Sequence, residues 1–159
     1  MEYLLPLFNY QNAEVLSNLY SYKYDVFYQQ IDGSDINSIT SPALLECALK
    51  LIKVFDANGD PHFLELAEYL LERITPYTDE EFILLNRLQI KKRKGKLSTE
   101  DINTVKSLNA DDYRIQFGIS VILENKVEAD KAFEQFTKEE KECYMEFPIF
   151  KFYKELESC

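Results

Sequence analysis

The chain has one histidine, His62, and three cysteines, Cys47, Cys143 and Cys159, with no close spacing among them. A lone histidine leaves no His-rich metal site and few histidine-based acid–base schemes. Three scattered cysteines fit neither a zinc site nor a disulfide framework, so reduced thiols are expected. No apolar run approaches the roughly 18 residues that a membrane span needs. The opening MEYLLPLFNYQNAE lacks a basic segment ahead of its short apolar stretch, unlike a secretory signal, and a cytoplasmic location is expected. Glycine (four) and proline (five) are scarce and fall almost everywhere at a helix start or stop. That distribution favours an all-α chain over a strand-and-turn protein.

What is present is apolar and acidic. With 159 residues, 46% of them hydrophobic, the chain is expected to form one domain over residues 1–159 with its own core. The net charge is −10, and residues 1–80 carry 13 acids against 4 bases, whereas residues 81–159 carry 15 against 14. A duplex-binding protein neutralises phosphates with a basic face, so the balance argues against DNA as the main partner.

Residues 109–136 organise the rest. They read as two helices joined by a polar turn, with Asn109 as N-cap and Asp112 reaching back to its N–H. Tyr113, Phe117, Ser120 and Val121 recur at helical spacing, widened by Ile115, Ile119 and Ile122, and Gly118 admits a close neighbour. Ala129, Ala132, Phe133 and Phe136 answer from the second helix, small residues alternating with aromatic ones.

Residues 1–31 contain eight aromatics, among them Tyr20, Tyr24 and Tyr28, whose spacing is compatible with a helix or a strand; with no partner strand nearby, a helix is expected. These rings either pack on the following helices or form a contact surface, since tyrosine suits both roles. Ser41 and Pro42 are expected to open a helix with an inner face of Leu45, Ala48, Leu49, Ile52 and Phe55, broken at Asn58 and Gly59 and restarted by Asp60 and Pro61. Asp56, Asn58 and Asp60 begin like a calcium loop, but Pro61 holds the glycine position and Ala67 the place of the bidentate glutamate, so no metal is expected. Phe63, Leu66, Ala67, Leu70 and Ile74 line the next helix. Thr78 and Glu81 predict a capping box for the one after, with Phe82, Leu85 and Leu88 inside.

That helix ends on Lys91, Lys92, Arg93 and Lys94, with Gly95 beyond them and Lys96 in the turn before the Ser98 cap. Cations there complement the helix dipole; as the one dense basic cluster, they are also the candidate contact for RNA or an acidic protein. Ile102, Val105 and Leu108 define a short helix. Thr137 and Glu140 predict a further capping box, and after Pro148 the residues Ile149, Phe152, Tyr153 and Leu156 share one face, expected to cap an open stack.

Laying Glu81 onward over Asp112 onward pairs Phe82 with Tyr113, Leu84 with Ile115, Leu88 with Ile119 and Ile90 with Val121, at an offset of 31 residues. With Phe117 and Gly118 in the first helix, and Ala129 and Phe133 in the second, the pattern resembles tetratricopeptide-type helical repeats. The resemblance implies stacked antiparallel hairpins in an α-solenoid of about 8 helices: an aromatic N-terminal helix and loop (1–40), hairpins (41–136) and capping helices (137–159). The function expected is a non-enzymatic interaction module for a protein or peptide partner, without cofactor, with Tyr20, Tyr24, Tyr28 or the basic cluster at the contact. An acidic inhibitor or immunity-type protein covering a basic nuclease or toxin surface is the alternative, and pairing of aromatic end helices into a homodimer is a further expectation. A small enzyme is a third class, but Glu65, Glu68 and Glu72 on one helix face equally describe a solvent face.

Overall fold

The computed structural model describes residues 28–29, 31–33, 35–108 and 111–158. Among these lie eight α-helices, one 3-10 turn and no strand, in keeping with the all-α composition. The chain divides into two compact units, Met1–Thr78 and Asp79–Cys159.

In the first unit, α1 (Ser41–Asn58) and α2 (His62–Ile74) are followed by a 3-10 turn, Thr75–Tyr77. Gly59 ends α1 in the left-handed region at φ 74°, its N–H reaching the Phe55 carbonyl, a conformation that costs glycine nothing. The short turn sends α2 back along α1, so that Ser41, at the start of α1, donates its hydroxyl to the Tyr77 carbonyl at 3.3 Å. This contact corrects the predicted helix start: Ser41 is a buried first-turn residue and Thr40 takes the N-cap position without a side-chain bond. The buried face of α1 is also rotated from the predicted one, onto Leu44, Cys47, Ala48, Leu51, Ile52 and Val54, leaving Leu45, Leu49 and Phe55 half-buried. A helix apolar around most of its girth does not encode which stripe faces inward. In α2 the expected Phe63, Leu66, Ala67, Leu70 and Ile74 are all buried, with Leu64 and Leu71 beside them.

The second unit holds α3 (Glu80–Arg93), α4 (Thr99–Ser107), α5 (Tyr113–Ile122), α6 (Lys126–Glu134), α7 (Lys138–Met145) and α8 (Ile149–Glu157). Capping boxes form where Ser98 meets Asp101 and where Thr137 meets Glu140. Two predicted boxes do not form. Asp79, not Thr78, is the N-cap of α3 and makes no side-chain bond, while the Thr78 hydroxyl is buried without a hydrogen-bond partner. Asp112 is itself the N-cap of α5, accepting from the Arg114 N–H, rather than the third residue of a box begun at Asn109, which lies outside the described residues. A charged cap one turn closer to the helix supplies both acceptor and favourable charge.

Helix α5 separates two cores. Phe117 and Val121 belong to an aromatic cluster with Ala129, Ala132, Phe136, Ile149, Phe150, Phe152 and Tyr153. Ile115 and Ile122 belong to an aliphatic one with Leu85, Leu88 and Val105. The Phe117 ring meets Phe133, Phe136, Tyr144 and Tyr153 at centroid distances between 5.1 and 5.9 Å, a range in which tilted and edge-on rings attract. The small Ala129 and Ala132, fully buried on α6, leave room for those rings.

Gly118 lies on the close approach of α3 to α5: a Cβ there would stand 2.7 Å from Leu85 Cδ1. Gly118→Ala is therefore expected to destabilise by about 1 kcal/mol, since overpacking costs about 1–3 kcal/mol and alanine's helix preference offsets up to ~1 kcal/mol. Urea titrations of Gly118→Ala, Leu85→Val and the double variant check this: the double should lose less than the sum of the singles, and strict additivity would locate the strain elsewhere.

Candidate interaction surfaces

The basic end of α3 is shaped first by its backbone. Lys96 N–H bonds back to the Lys91 carbonyl at 2.9 Å and Gly95 N–H to Lys92 at 3.1 Å, around Gly95 at φ 65°, a Schellman ending. The same pattern closes α5, with Asn125 N–H to Ser120 at 2.8 Å and Glu124 N–H to Val121 at 3.2 Å. There the left-handed position at φ 59° is held by Glu124, a residue with a Cβ.

The side chains of the run then part company. Lys91 pairs with Asp101 at the start of α4 at 2.6 Å. Lys92 pairs with Glu124 at 2.5 Å and lies over the Phe152 ring at 5.3 Å. Arg93 stacks on the same ring at 4.4 Å and donates to the Pro148 carbonyl at 3.0 Å, just ahead of α8. Lys94 is half-buried at the C-cap and Lys96 is exposed. Three of the five predicted contact residues thus join the end of α3 to α4, α5 and α8 by attraction between cation, carboxylate and ring face.

In the first unit a different constellation stands at the surface. Asp32, with a side chain 54% exposed, accepts from the Tyr69 hydroxyl at 2.5 Å and from Arg73 at 2.8 and 3.0 Å. The Arg73 guanidinium lies 3.3 Å from the Tyr69 ring centroid and also bonds the phenol oxygen. Tyr28 meets Tyr69 edge-on at 4.4 Å. The Tyr69 hydrogen bond, with Arg73 behind it, holds the Asp32 carboxyl below its ordinary range, and the same bond raises the Tyr69 phenol.

No family model, curated protein or solved structure matches the chain.

Of the predicted tyrosines, Tyr20 and Tyr24 lie outside the described residues, and Tyr28 is brought to Tyr69. The sequence reading missed Asp32, Tyr69 and Arg73. Their one local signal is Tyr69 and Arg73 four residues apart on the polar side of α2, on a stripe with Glu65, Glu68 and Glu72. Elsewhere among the described residues, the exposed large apolar side chains are Ile39 (86%) and Tyr77 (46%) in the first unit and Val127, Met145 and Phe147 in the second. Among the described residues, no group of three or more His, Cys, Asp or Glu side chains could hold a metal ion, and no helix is long and apolar enough to cross a membrane.

Two predictions probe the α3 end. The left-handed region costs a non-glycine residue about 1–2 kcal/mol, whereas an exposed ion pair is worth at most about 1 kcal/mol. Glu124→Gly should accordingly raise stability by about 0.5–1 kcal/mol although Lys92 loses its partner, and Glu124→Gln, which keeps the strain, should lower it slightly. Thermal melts in which Glu124→Gly falls below the parent would show the ion pair outweighing the backbone strain.

Asp101, bonded by Lys91 and by the Ser98 N–H, has its carboxyl pulled down to about 2. A depressed acid stabilises the fold above its unfolded value near about 3.9, and that contribution disappears as pH falls from about 4 to about 2. Asp101→Asn should be less stable than the parent at about pH 6, and the difference should shrink as pH falls through about 4 and close below about pH 2, as read from denaturant midpoints. A constant difference across that window would assign the loss to the cap alone.

Proposed function

We propose that this chain is a non-enzymatic protein–protein interaction module of stacked, tetratricopeptide-like helical hairpins, working in the cytoplasm. Its contact face is the outer stripe of α2 around Tyr69 and Arg73. The observation that carries this reading is the surface cluster of Tyr28, Asp32, Tyr69 and Arg73, locked in place by hydrogen bonds and ring contacts. Tyrosine and arginine are the residue types that most often dominate binding energy. Side chains already held in one geometry lose less rotamer entropy when a partner arrives.

A second reading follows from the neighbours on the same stripe. Glu65 and Glu72 are exposed and Glu68 is half-exposed, and this half of the chain is strongly acidic. Such a face fits an inhibitor that covers a basic nuclease or toxin surface, with charge steering the encounter. The two readings differ in how binding responds to salt.

The test is recovery of a stoichiometric partner by the tagged 159-residue chain from native cells, beside the Tyr69→Ala/Arg73→Ala double variant. Affinity for the recovered partner should fall by at least about 30-fold, the ~2 kcal/mol of an interface hot spot, while the unfolding midpoint stays within the range of an ordinary surface change. Affinity that also collapses as salt rises selects the inhibitor reading. Equal binding by both proteins would sink the proposal, as would recovery of a second copy of the chain alone.

A further inference from the structure

We propose that α7 is a releasable strap across the aromatic core of the second unit, opening and closing while the rest of that unit stays folded. This concerns a different part of the chain from the α2 face and does not depend on it.

The first ground is how little α7 buries. It is eight residues long and has no buried residue, whereas α5 and α8 on either side of the same core bury Phe117, Val121, Ile149, Phe150, Phe152 and Tyr153. Glu139, Glu142, Cys143 and Met145 of α7 are exposed to solvent. A helix this short does not persist in water without tertiary contacts, so undocking and unfolding of α7 are one event.

The second ground is the kind of contact that holds it down, half-buried rings and a single shared carboxylate. Tyr144 lies on Phe136 at 4.6 Å and on Phe117 at 5.9 Å. Lys141 stands over the Phe133 ring at 5.5 Å. A further fastener is Glu140, whose Oε1 accepts from the Tyr113 hydroxyl at 2.6 Å and whose Oε2 accepts from the Thr137 N–H at 2.9 Å. One carboxylate thus both starts α7 and pins it to α5. Losing the pin weakens the helix start, and losing the helix start frees the pin, which makes release cooperative.

The consequence is a surface that exists part of the time. With α7 away, the sides of Phe117 and Phe136 that Tyr144 covers are open to solvent, while Phe133, Phe150 and Tyr153 keep their mutual ring contacts. Sub-global openings of this kind fall on the contiguous segments with fewest buried apolar contacts.

Hydrogen exchange followed by mass spectrometry on the full chain tests it. In the parent, amides of 138–146 should exchange at least about 100-fold faster than those of 113–122 and 149–157, with little dependence on low urea concentrations. Tyr113→Phe, which keeps the ring and removes the pin, should speed α7 exchange by about tenfold more and leave α8 unchanged. Thr137→Ala, acting through the helix start instead, should do the same. The proposal is overturned if α7 is protected as strongly as α5 and α8 in the parent. It is equally overturned if either variant accelerates all three helices together.

Discussion

The second unit depends on the rigidity of one short helix that must satisfy two different neighbours. Phe117 and Val121 of α5 face rings, Ile115 and Ile122 face aliphatic side chains, and at Gly118 a Cβ would have to push the Leu85 methyl aside. Rotating α5 by one residue, about 100°, would drive a β-branched side chain into α3 and withdraw Phe117 from the rings that surround it. Two cores built on opposite sides of one helix fix its rotation more firmly than either could alone.

Charge is distributed by the same logic. The chain carries an excess of acid, and its carboxylates gather at helix starts, where Ser98 with Asp101, Asp112, and Thr137 with Glu140 receive free N–H groups. Its cations gather at the end of α3, where carbonyls lack donors. Lys91, Lys92 and Arg93 then reach Asp101 at the start of α4, Glu124 at the end of α5 and the Pro148 carbonyl ahead of α8, so the cations of one helix end tie three other elements to it. The phenols of Tyr113 and Tyr153 follow suit, donating to Glu140 and Asp130 at the rim of the aromatic core.

Much of this was legible in the sequence because it is decided within a few residues. Gly59 and Gly95 stop helices, Ser98 and Thr137 start them, and the predicted face of α2 is buried throughout, as are Phe117 and Val121 of α5 and Ile149, Phe152 and Tyr153 of α8. The misreadings have distant causes. Ser41 looks like a cap until the Tyr77 carbonyl claims its hydroxyl, and Thr78 and Asp79 are adjacent candidates between which local propensity does not choose. The Asp32 cluster joins residues 37 and 41 positions apart, and no periodicity in a single sequence spans that separation. The inward stripe of α1 was hidden for the opposite reason, an excess of apolar residues.

The two described thiols stand at opposite extremes of access. Cys47 is 2% exposed in the packed face of α1, and burial pushes its thiol up to about 11, so almost no thiolate is present at neutral pH. Cys143 stands in the open on α7. A soluble thiol reagent therefore meets one site at once and the other only when the packing over that face of α1 opens, and the delay between the two modifications is a clock for the breathing of the first unit.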